Sequence, residues 1–413
     1  MPDDTALPVM RQRPTRTSRH ILGGTIGVGH QPIRSLYVHV PFCAHKCHYC
    51  DFYSFVDNRG RQRAFAERLA REFDAIAPRA GTLDTIFIGG GTPTLLEPEP
   101  LGLVLDGIRS AFDLADGAEW TTECNPETAT PELMTALAAA GVNRISIGAQ
   151  SFNPSHLRTL ERHHDPANVA KAVELAAAAG IGHRSVDLIF AIPRQTIEEL
   201  DDDLDRVFAL EIDHLSAYSL TYEPNTAMTK RLERGEFIPA TDSLEADMFL
   251  HVRRRAAEAG FDAYEISNFA KPGGGCRHNL AYWRQDEWLA AGPSASGHAG
   301  GHRYKNVPRL DDYLAIDDAG FAPVIDHEPP DPSRLLVERL MTGLRLAEGL
   351  DAERMLQACE AAAPDRSGEL LAQVNAASDR GWLETSAGRW ILTDRGVLLA
   401  DGIAAELMAA VSG

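Results

Sequence analysis

The sequence predicts an α/β fold: a partial (β/α)6 barrel, a mixed region, and a C-terminal winged-helix-like unit. Three observations predict it. Between residues 35 and 260, short β-branched and aromatic runs alternate with amphipathic helical patterns about six times, fewer than the eight units that close a full barrel. The short runs are apolar enough to lie buried on both faces, as strands of a parallel sheet do. After residue 260 the alternation stops.

The strands are expected in SLYVHVPF, TIFIGGG, EWTTECNP, RISIGAQ, HRSVDLIFAIP and HLSAYSLTY. Between them RQRAFAERLAREFDAI, PLGLVLDGIRSAF, PELMTALAAAG, ANVAKAVELAAAAG and TIEELDDDLDRVFAL carry the helical period, and Gly141 and Gly180 close two of these helices. Residues 1–33 lack an apolar period and read as a flexible tail. Barrel residues 34–260 are followed by a region, 261–330, dense in aromatic, Asn, His and Gly residues. Residues 331–413 read as helices, including RLLVERLMTGLRL and ERMLQACEAAA, around a hairpin that turns at Ala387-Gly388. RGVLLADGIAAELMAAV reads as one closing helix. Ligands of such a barrel are expected at the C-terminal ends of its strands.

Composition limits the partners. The chain has 413 residues with a formal net charge of -19, and such a surface repels phosphate backbones, so no nucleic acid is expected. No run of about 18 apolar residues marks a membrane span, and the first residues lack a secretory pattern, so a cytoplasmic location is expected. Of 6 cysteines, three crowd into positions 43 to 50, which favours metal or redox chemistry over a disulfide scaffold.

Cys43, Cys47 and Cys50 follow the first strand at Cys-x3-Cys-x2-Cys spacing. Thiolates are the preferred ligands of iron–sulfur clusters. Three cysteines leave one iron of a [4Fe-4S] cubane open to an exogenous amine and carboxylate. Zinc held by the three thiols and His45 or His48 is the rival reading. Attachment of c-type haem needs Cys-x-x-Cys-His, and Asp51 stands where that histidine would be.

Further polar residues recur at strand ends. Gly90, Gly91 and Thr92 end the second strand, where glycines let a ligand approach the main chain or simply form a tight turn. Glu123 ends the third strand and can accept two hydroxyl hydrogens. Gln150 ends the fourth, and Arg162 follows in ERHHD, suited to a carboxylate. Asp187 lies inside an apolar strand, where a charge is costly unless paired, for example with Arg184 or Arg162, or functional.

The cysteine spacing, with Tyr49 before the last cysteine, resembles the radical S-adenosylmethionine superfamily. YVHVPFC, CHYCDF, GGGTPT, ECNPE, GAQSF, LERHH, VDLIF, YEISNFA, CRHNLAYW and RLAEGL resemble the HemN/HemW family of oxygen-independent coproporphyrinogen III oxidase-like proteins. The resemblance runs from Tyr37 to the C terminus. It implies a [4Fe-4S] cluster on the three cysteines. It places S-adenosylmethionine on Tyr37, Tyr49, Gly90, Gly91, Thr92, Glu123, Gln150, Arg162 and Asp187. Two segments depart from the family pattern: Arg194 stands where the family has glycine, and is expected to narrow the mouth, and GPSAS replaces GPGAHS.

The family's dehydrogenase branch carries a fourth cysteine two residues after the third, and here that position is Phe52. This sequence therefore resembles the haem-chaperone branch more than the porphyrinogen-decarboxylating one. His278, Asn279, Tyr282 and Trp283 match that branch's HNxxYW motif, which implies haem as a ligand, with His278 coordinating iron and Trp283 stacking on the ring. Read on chemistry alone, the same four residues pack a domain junction. Cys276 is an alternative iron ligand. The resemblance further implies transfer of haem to an acceptor protein, respiratory in some relatives, with dimers and peripheral membrane association as accompanying expectations. Coproporphyrinogen dehydrogenase is the alternative function.

Overall fold

The computed structural model describes residues 32–315 and 319–412. Most of the expected tail lies outside the described residues, and Ile33 already opens the first strand.

The first six strands are β1 (Ile33–Val40), β2 (Ala80–Gly90), β3 (Leu114–Cys124), β4 (Arg144–Gln150), β5 (His183–Phe190) and β6 (His214–Ser219). All pair in parallel with their sequence neighbours. Between them run α1 (Gln62–Ile76), α2 (Pro98–Ala111), α3 (Pro131–Ala140), α4 (Pro154–Leu160), α5 (Ala167–Ala178) and α6 (Ile197–Phe208). Right-handed crossovers in unbroken strand order put every helix on one face, which curls the sheet. The helices begin and end on the expected signals. Thr196 and Glu199 form a capping box at α6. Gly141 closes α3 in the left-handed region at φ 109°.

Two helices follow β6: α7 (Ala227–Glu233) and α8 (Asp242–Glu258). The sequence pattern hides α8 because only Met248, Val252 and Ala256 are buried on it, a stripe too narrow to stand out among its charges. The mixed region then joins the barrel sheet. β7 (Asp262–Ala263) pairs antiparallel with β8 (Asn268–Ala270), which pairs antiparallel with β6, while β9 (Leu289–Ala291) adds parallel to β1. The order is β7-β8-β6-β5-β4-β3-β2-β1-β9, so the barrel stays open. Between β8 and β9 lies α9 (Arg277–Trp283). A smaller antiparallel sheet, β10 (Ser296–Ala299), β11 (His302–Asn306) and β12 (Val324–Glu328), follows, with α10 (Leu310–Ala315) inserted. Phe261, Phe269, Leu289, Tyr304 and Tyr313 share one core with the barrel strands.

The C-terminal unit has its own core around Leu336, Leu340, Leu370, Trp390 and Leu407. Its helices are α11 (Pro332–Gly343), α12 (Ala352–Ala362), α13 (Ser367–Asp379), α14 (Asp394–Val397) and α15 (Ala400–Val411). A three-stranded sheet joins β13 (Leu350–Asp351), β14 (Leu383–Ser386) and β15 (Arg389–Leu392) in the order β13-β15-β14. The hairpin turns where expected, with Ala387 at φ 49° and Gly388 at φ 76°, the two positive values a type I′ turn demands. The closing helix is broken rather than continuous. Gly396 sits so close to Trp382 that a Cβ would lie 1.9 Å from its carbonyl oxygen, and the chain re-aims at Leu398 and Leu399 before α15.

Candidate functional site

One cavity of about 880 Å³ runs along the inner face of the barrel sheet. Its walls follow the two-residue period of strands: Tyr37 and His39, Thr121 and Glu123, Ser146 and Gly148, Ser185 and Asp187, then Ser216 and Tyr218. The intervening residues, such as Val38, Trp120, Ile147, Val186 and Leu215, are buried in the core under the helices.

Cys43, Cys47 and Cys50 all line this cavity. Their loop is fixed by main-chain bonds: the Cys43 amide donates to Phe55 O at 3.0 Å, and the Cys50 amide donates to Cys47 O at 3.3 Å. The His48 amide donates to Leu160 O at 3.2 Å, tying the loop to the end of α4. Burial pushes the Cys50 thiol up to about 11 and raises that of Cys43. Metal binding must displace those protons. Tyr49 lines the cavity as well and packs beside Leu160, Ile189 and Met228, which anchors the loop. His48 meets Arg231 at 3.2 Å through Nδ1. His45 faces Glu161 at 3.9 Å. Neither histidine pairs with a cysteine sulfur.

The second strand delivers Gly90, Gly91 and Thr92 to the same cavity. A Cβ at Gly90 would stand 2.4 Å from the His39 ring, and one at Gly91 would stand 2.6 Å from Phe42 O. These glycines therefore let β2 close on β1 and on the cysteine loop, a packing role the sequence does not reveal. Thr92 Oγ1 lies 3.7 Å from Cys43 Sγ. His39 is held in one tautomer. Its Nε2–H donates to Tyr53 O at 2.8 Å, leaving Nδ1 to accept the Tyr37 hydroxyl at 2.9 Å.

Glu123 Oε2 accepts the Gly90 amide at 3.0 Å. Burial, and then the neighbouring Asp187, push its carboxyl up to about 7. Burial also raises Asp187, against hydroxyls that stabilise its charge; among these, Ser146 Oγ lies 2.9 Å from each of its oxygens. Arg184 does not pair with Asp187; its side chain donates to Ile181 O and Glu211 O, both at 2.7 Å. Arg162 donates to Gly148 O at 2.9 Å, lies 3.9 Å from Cys47 Sγ, and keeps a buried Nε with no partner. Thr121 Oγ1 is likewise buried and unpartnered. Gln150 leaves the strand with φ at 63°, breaking the register with β5 and swinging into the cavity. The donor set is thus three thiols, two half-buried carboxylates, an arginine and unpaired donors around one space. It fits an iron–sulfur cluster with a ligand that brings an amine, hydroxyls and a carboxylate.

His278, Asn279 and Tyr282 line the same cavity from α9, whereas Trp283 does not. Trp283 instead lies beneath the Arg345 guanidinium, 5.2 Å from the ring centre. His278 is fully buried and stacks on Phe87 with ring centres 5.5 Å apart. Its Nδ1 meets Thr85 Oγ1 at 2.8 Å, and its Nε2 meets the Tyr282 hydroxyl at 2.8 Å. Thr85 donates to Ser35, so His278 donates from Nδ1 and accepts at Nε2. Both ring nitrogens are occupied, and burial lowers the imidazole to about 3. Thr85 lies five positions before Gly90 on β2, about 16 Å along a strand. α9 therefore closes the cavity at the end opposite the cysteines. Cys276 is buried there too, with its thiol 3.4 Å from Glu119.

Sequence reasoning missed His39, Thr121, Ser146, Ser185, Ser216 and Tyr218. Only their period-two spacing with Tyr37, Glu123 and Asp187 could have found them. Arg194 does not line the cavity. It occupies the third position of a turn closed by the Gln195 amide on Ile192 O at 2.8 Å, with φ at 70°. Phe52, at the fourth-cysteine position, lines the cavity mouth and is 59% exposed.

An open parallel barrel with three thiols at its mouth is the architecture of the radical SAM superfamily, whose family model matches residues 37–207. The HemN C-terminal domain model matches residues 331–399. The chain is 37% identical to the "Heme chaperone HemW" of Mycobacterium tuberculosis over 97% of this chain and 100% of the relative. It is 32% identical to the Bacillus subtilis protein of that name, over 90% of this chain and 98% of the relative. The Escherichia coli protein of that name is 40% identical over 64% of this chain and 70% of its own length. The chain belongs to the HemW family. The solved structure of Escherichia coli coproporphyrinogen III oxidase (HemN) superposes with a TM-score of 0.79 at 23% identity, covering 91% of this chain and 90% of the other, a likeness of fold.

Proposed function

We propose that this protein is a haem chaperone: it binds haem and transfers it to an acceptor protein, carrying a [4Fe-4S] cluster and S-adenosylmethionine in its barrel. The observation that carries the reading is a single cavity with three cysteine thiols at one end and the HNLAYW helix at the other. Relatives that span the whole chain carry the name heme chaperone. When bound, the cluster supplies an open iron for the methionine end of S-adenosylmethionine.

The residues of the chain divide the work. Cys43, Cys47 and Cys50 hold three irons. Gly90, Gly91 and Thr92 meet the methionine amine, and Arg162, with its free Nε, takes the carboxylate. Glu123 accepts the ribose hydroxyls, supported by Tyr37, Gln150 and Asp187. Two half-buried carboxylates, Glu123 and Asp187, close enough for Asp187 to raise the Glu123 carboxyl, suit a positively charged ligand. Tyr49, in the cavity wall beside the cysteines, adds to the S-adenosylmethionine contacts. At the far end His278, Asn279 and Tyr282 face haem, and His278 binds iron through Nε2 once the Tyr282 hydroxyl yields that nitrogen. Trp283 acts from outside the cavity by seating α9 against Arg345. The acceptor is a haem-dependent protein, respiratory in the reading we favour, met in the cytoplasm or at a membrane surface by a monomer or homodimer. Phe52 leaves no fourth thiol for the dehydrogenase arrangement.

The test is haem titration of anaerobically purified protein. One haem per chain is expected, with no multiple turnovers of coproporphyrinogen decarboxylation. His278→Ala should weaken haem binding and shift the Soret band, with iron and sulfide per chain unchanged. Cys43→Ala, Cys47→Ala or Cys50→Ala should each abolish the brown cluster absorption. Catalytic release of carbon dioxide, with haem affinity indifferent to His278, would restore the dehydrogenase.

A further inference from the structure

Beside the cysteine loop lies a second set of metal-ligating side chains that the reading above does not use. His45 sits between Cys43 and Cys47. Glu161 and His163 flank Arg162 just after α4. One carboxylate oxygen, Glu161 Oε2, faces both imidazoles: His163 Nε2 at 3.2 Å and His45 Nε2 at 3.9 Å. The two rings stack face to face with centres 4.2 Å apart and planes 20° apart. The three ligand atoms all lie within 4.8 Å of one another. Bonds of about 2.0–2.1 Å in a tetrahedral site set neighbouring ligand atoms about 3.3 Å apart, so the two imidazoles rotate out of their stack to aim their in-plane lone pairs at one ion. His45 Nε2 is shielded from solvent and has no hydrogen-bond partner. A nitrogen left in that condition costs free energy unless something fills its lone pair or takes its proton.

The backbone holds these groups in place. Glu161 caps α4 in the left-handed region at φ 53° and ψ 42°, where glycine is usual. The Arg162 amide donates to Leu157 O at 2.9 Å, which fixes the direction of the segment carrying both Glu161 and His163. His45 is fixed by the main-chain bonds of the cysteine loop on the other side.

We propose that His45, Glu161 and His163 form a binding site for a divalent transition-metal ion at the rim of the cluster cavity. Two imidazoles and one carboxylate are a ligand set that suits zinc or ferrous iron and leaves a position open for water or an exogenous ligand. The ion joins the cysteine loop to the segment that bears Arg162, and is separate from any iron held by the thiols.

The probe is zinc. Full-length protein with its cluster intact is dialysed anaerobically against zinc, and bound zinc, iron and sulfide are measured per chain. One zinc per chain is expected beyond the cluster metals. His45→Gln, Glu161→Gln and His163→Gln should each weaken zinc binding by at least about ten-fold. Iron, sulfide and melting temperature should stay unchanged. The triple variant Cys43→Ala/Cys47→Ala/Cys50→Ala provides a second arm, because it removes competing thiols. It should still take up one zinc, and adding His163→Gln should abolish that uptake. Failure of the cluster in the first arm leaves the second arm decisive. Zinc uptake that is absent, or equal in wild type and the histidine variants, overturns the site. Loss of haem binding in His45→Gln and His163→Gln with zinc uptake unchanged assigns the pair to haem and overturns it as well.

Discussion

Glu123 carries a cost that its surroundings explain. A carboxyl raised from 4.5 to about 7 keeps its proton in the folded state where the unfolded chain has lost it. Stability therefore falls as pH rises from about 4.5 to about 7, by on the order of 3 kcal/mol at most. Glu123→Gln removes that ionisation. The ligand-free variant should melt above wild type at pH 8, and the gap should close near pH 4, where both side chains are neutral; a gap independent of pH would mean another group is responsible. The same change should weaken S-adenosylmethionine binding by about 1–3 kcal/mol in calorimetry, because one strong acceptor is lost. Unchanged affinity would remove Glu123 from the ligand site.

At the scale of the element, two departures from the family's glycine pattern prove to be the same event. Pro193-Arg194 and Pro293-Ser294 each occupy the central positions of a turn. The turns close through Gln195 N to Ile192 O at 2.8 Å and Ala295 N to Gly292 O at 3.3 Å. Arg194 lies at φ 70° and Ser294 at φ 68°, the positive value that favours glycine at the third residue of a type II turn. In each turn the proline and the closing bond hold the conformation without a glycine. Arg194→Gly should thus stabilise the protein. The ~1–2 kcal/mol of left-handed strain exceeds the ~0.5–1 kcal/mol of glycine's chain entropy, a net gain of roughly 0.5–1 kcal/mol in denaturant unfolding. A loss of stability would show that the arginine side chain makes up the difference.

For the whole molecule, the arrangement is an open barrel whose cavity α9 closes at one end and whose mouth carries the cysteine loop. The C-terminal unit meets α9 from outside. Gln285 donates to Thr342 at 3.2 Å, the Ala347 amide donates to Tyr264 O at 3.0 Å, and Arg345 covers Trp283. The two cores share no residues. A chain ending at Asp331 keeps the barrel core and the three thiols. It should assemble iron and sulfide at full stoichiometry, melt several degrees lower, and bind haem more weakly because α9 has lost its support. Loss of the cluster in that shortened chain would show that the C-terminal unit stabilises the distant mouth as well.

Much of this was open to reading from the chain alone, and the reasons differ by feature. Six β/α units, the cysteine loop and the Ala387-Gly388 hairpin are local patterns, written in residues that are neighbours in sequence. The helix stop at Gly141 and the capping box at Thr196 are local for the same reason. α8 escaped because its buried stripe is three residues wide in a charged helix. β7, β8 and β9 escaped because strands of two or three residues carry no period of their own and exist only by pairing with the barrel's edges. The polar lining, from Ser146 to Tyr218, became visible only when parallel register set alternate residues of separate strands on one face. Tertiary structure alone decided that His278 has both nitrogens engaged, that Trp283 points away from the cavity, and that His45 meets Glu161 and His163. Those outcomes depend on contacts between separate elements, 62 positions apart for Trp283 and Arg345 and more than 100 for His278 and Thr85 or His45 and Glu161, and no local spacing encodes them. What the sequence determined by itself was the chemistry brought to the site. The fold decided which of those groups face one another, because side-chain direction is set by packing across strands rather than along them.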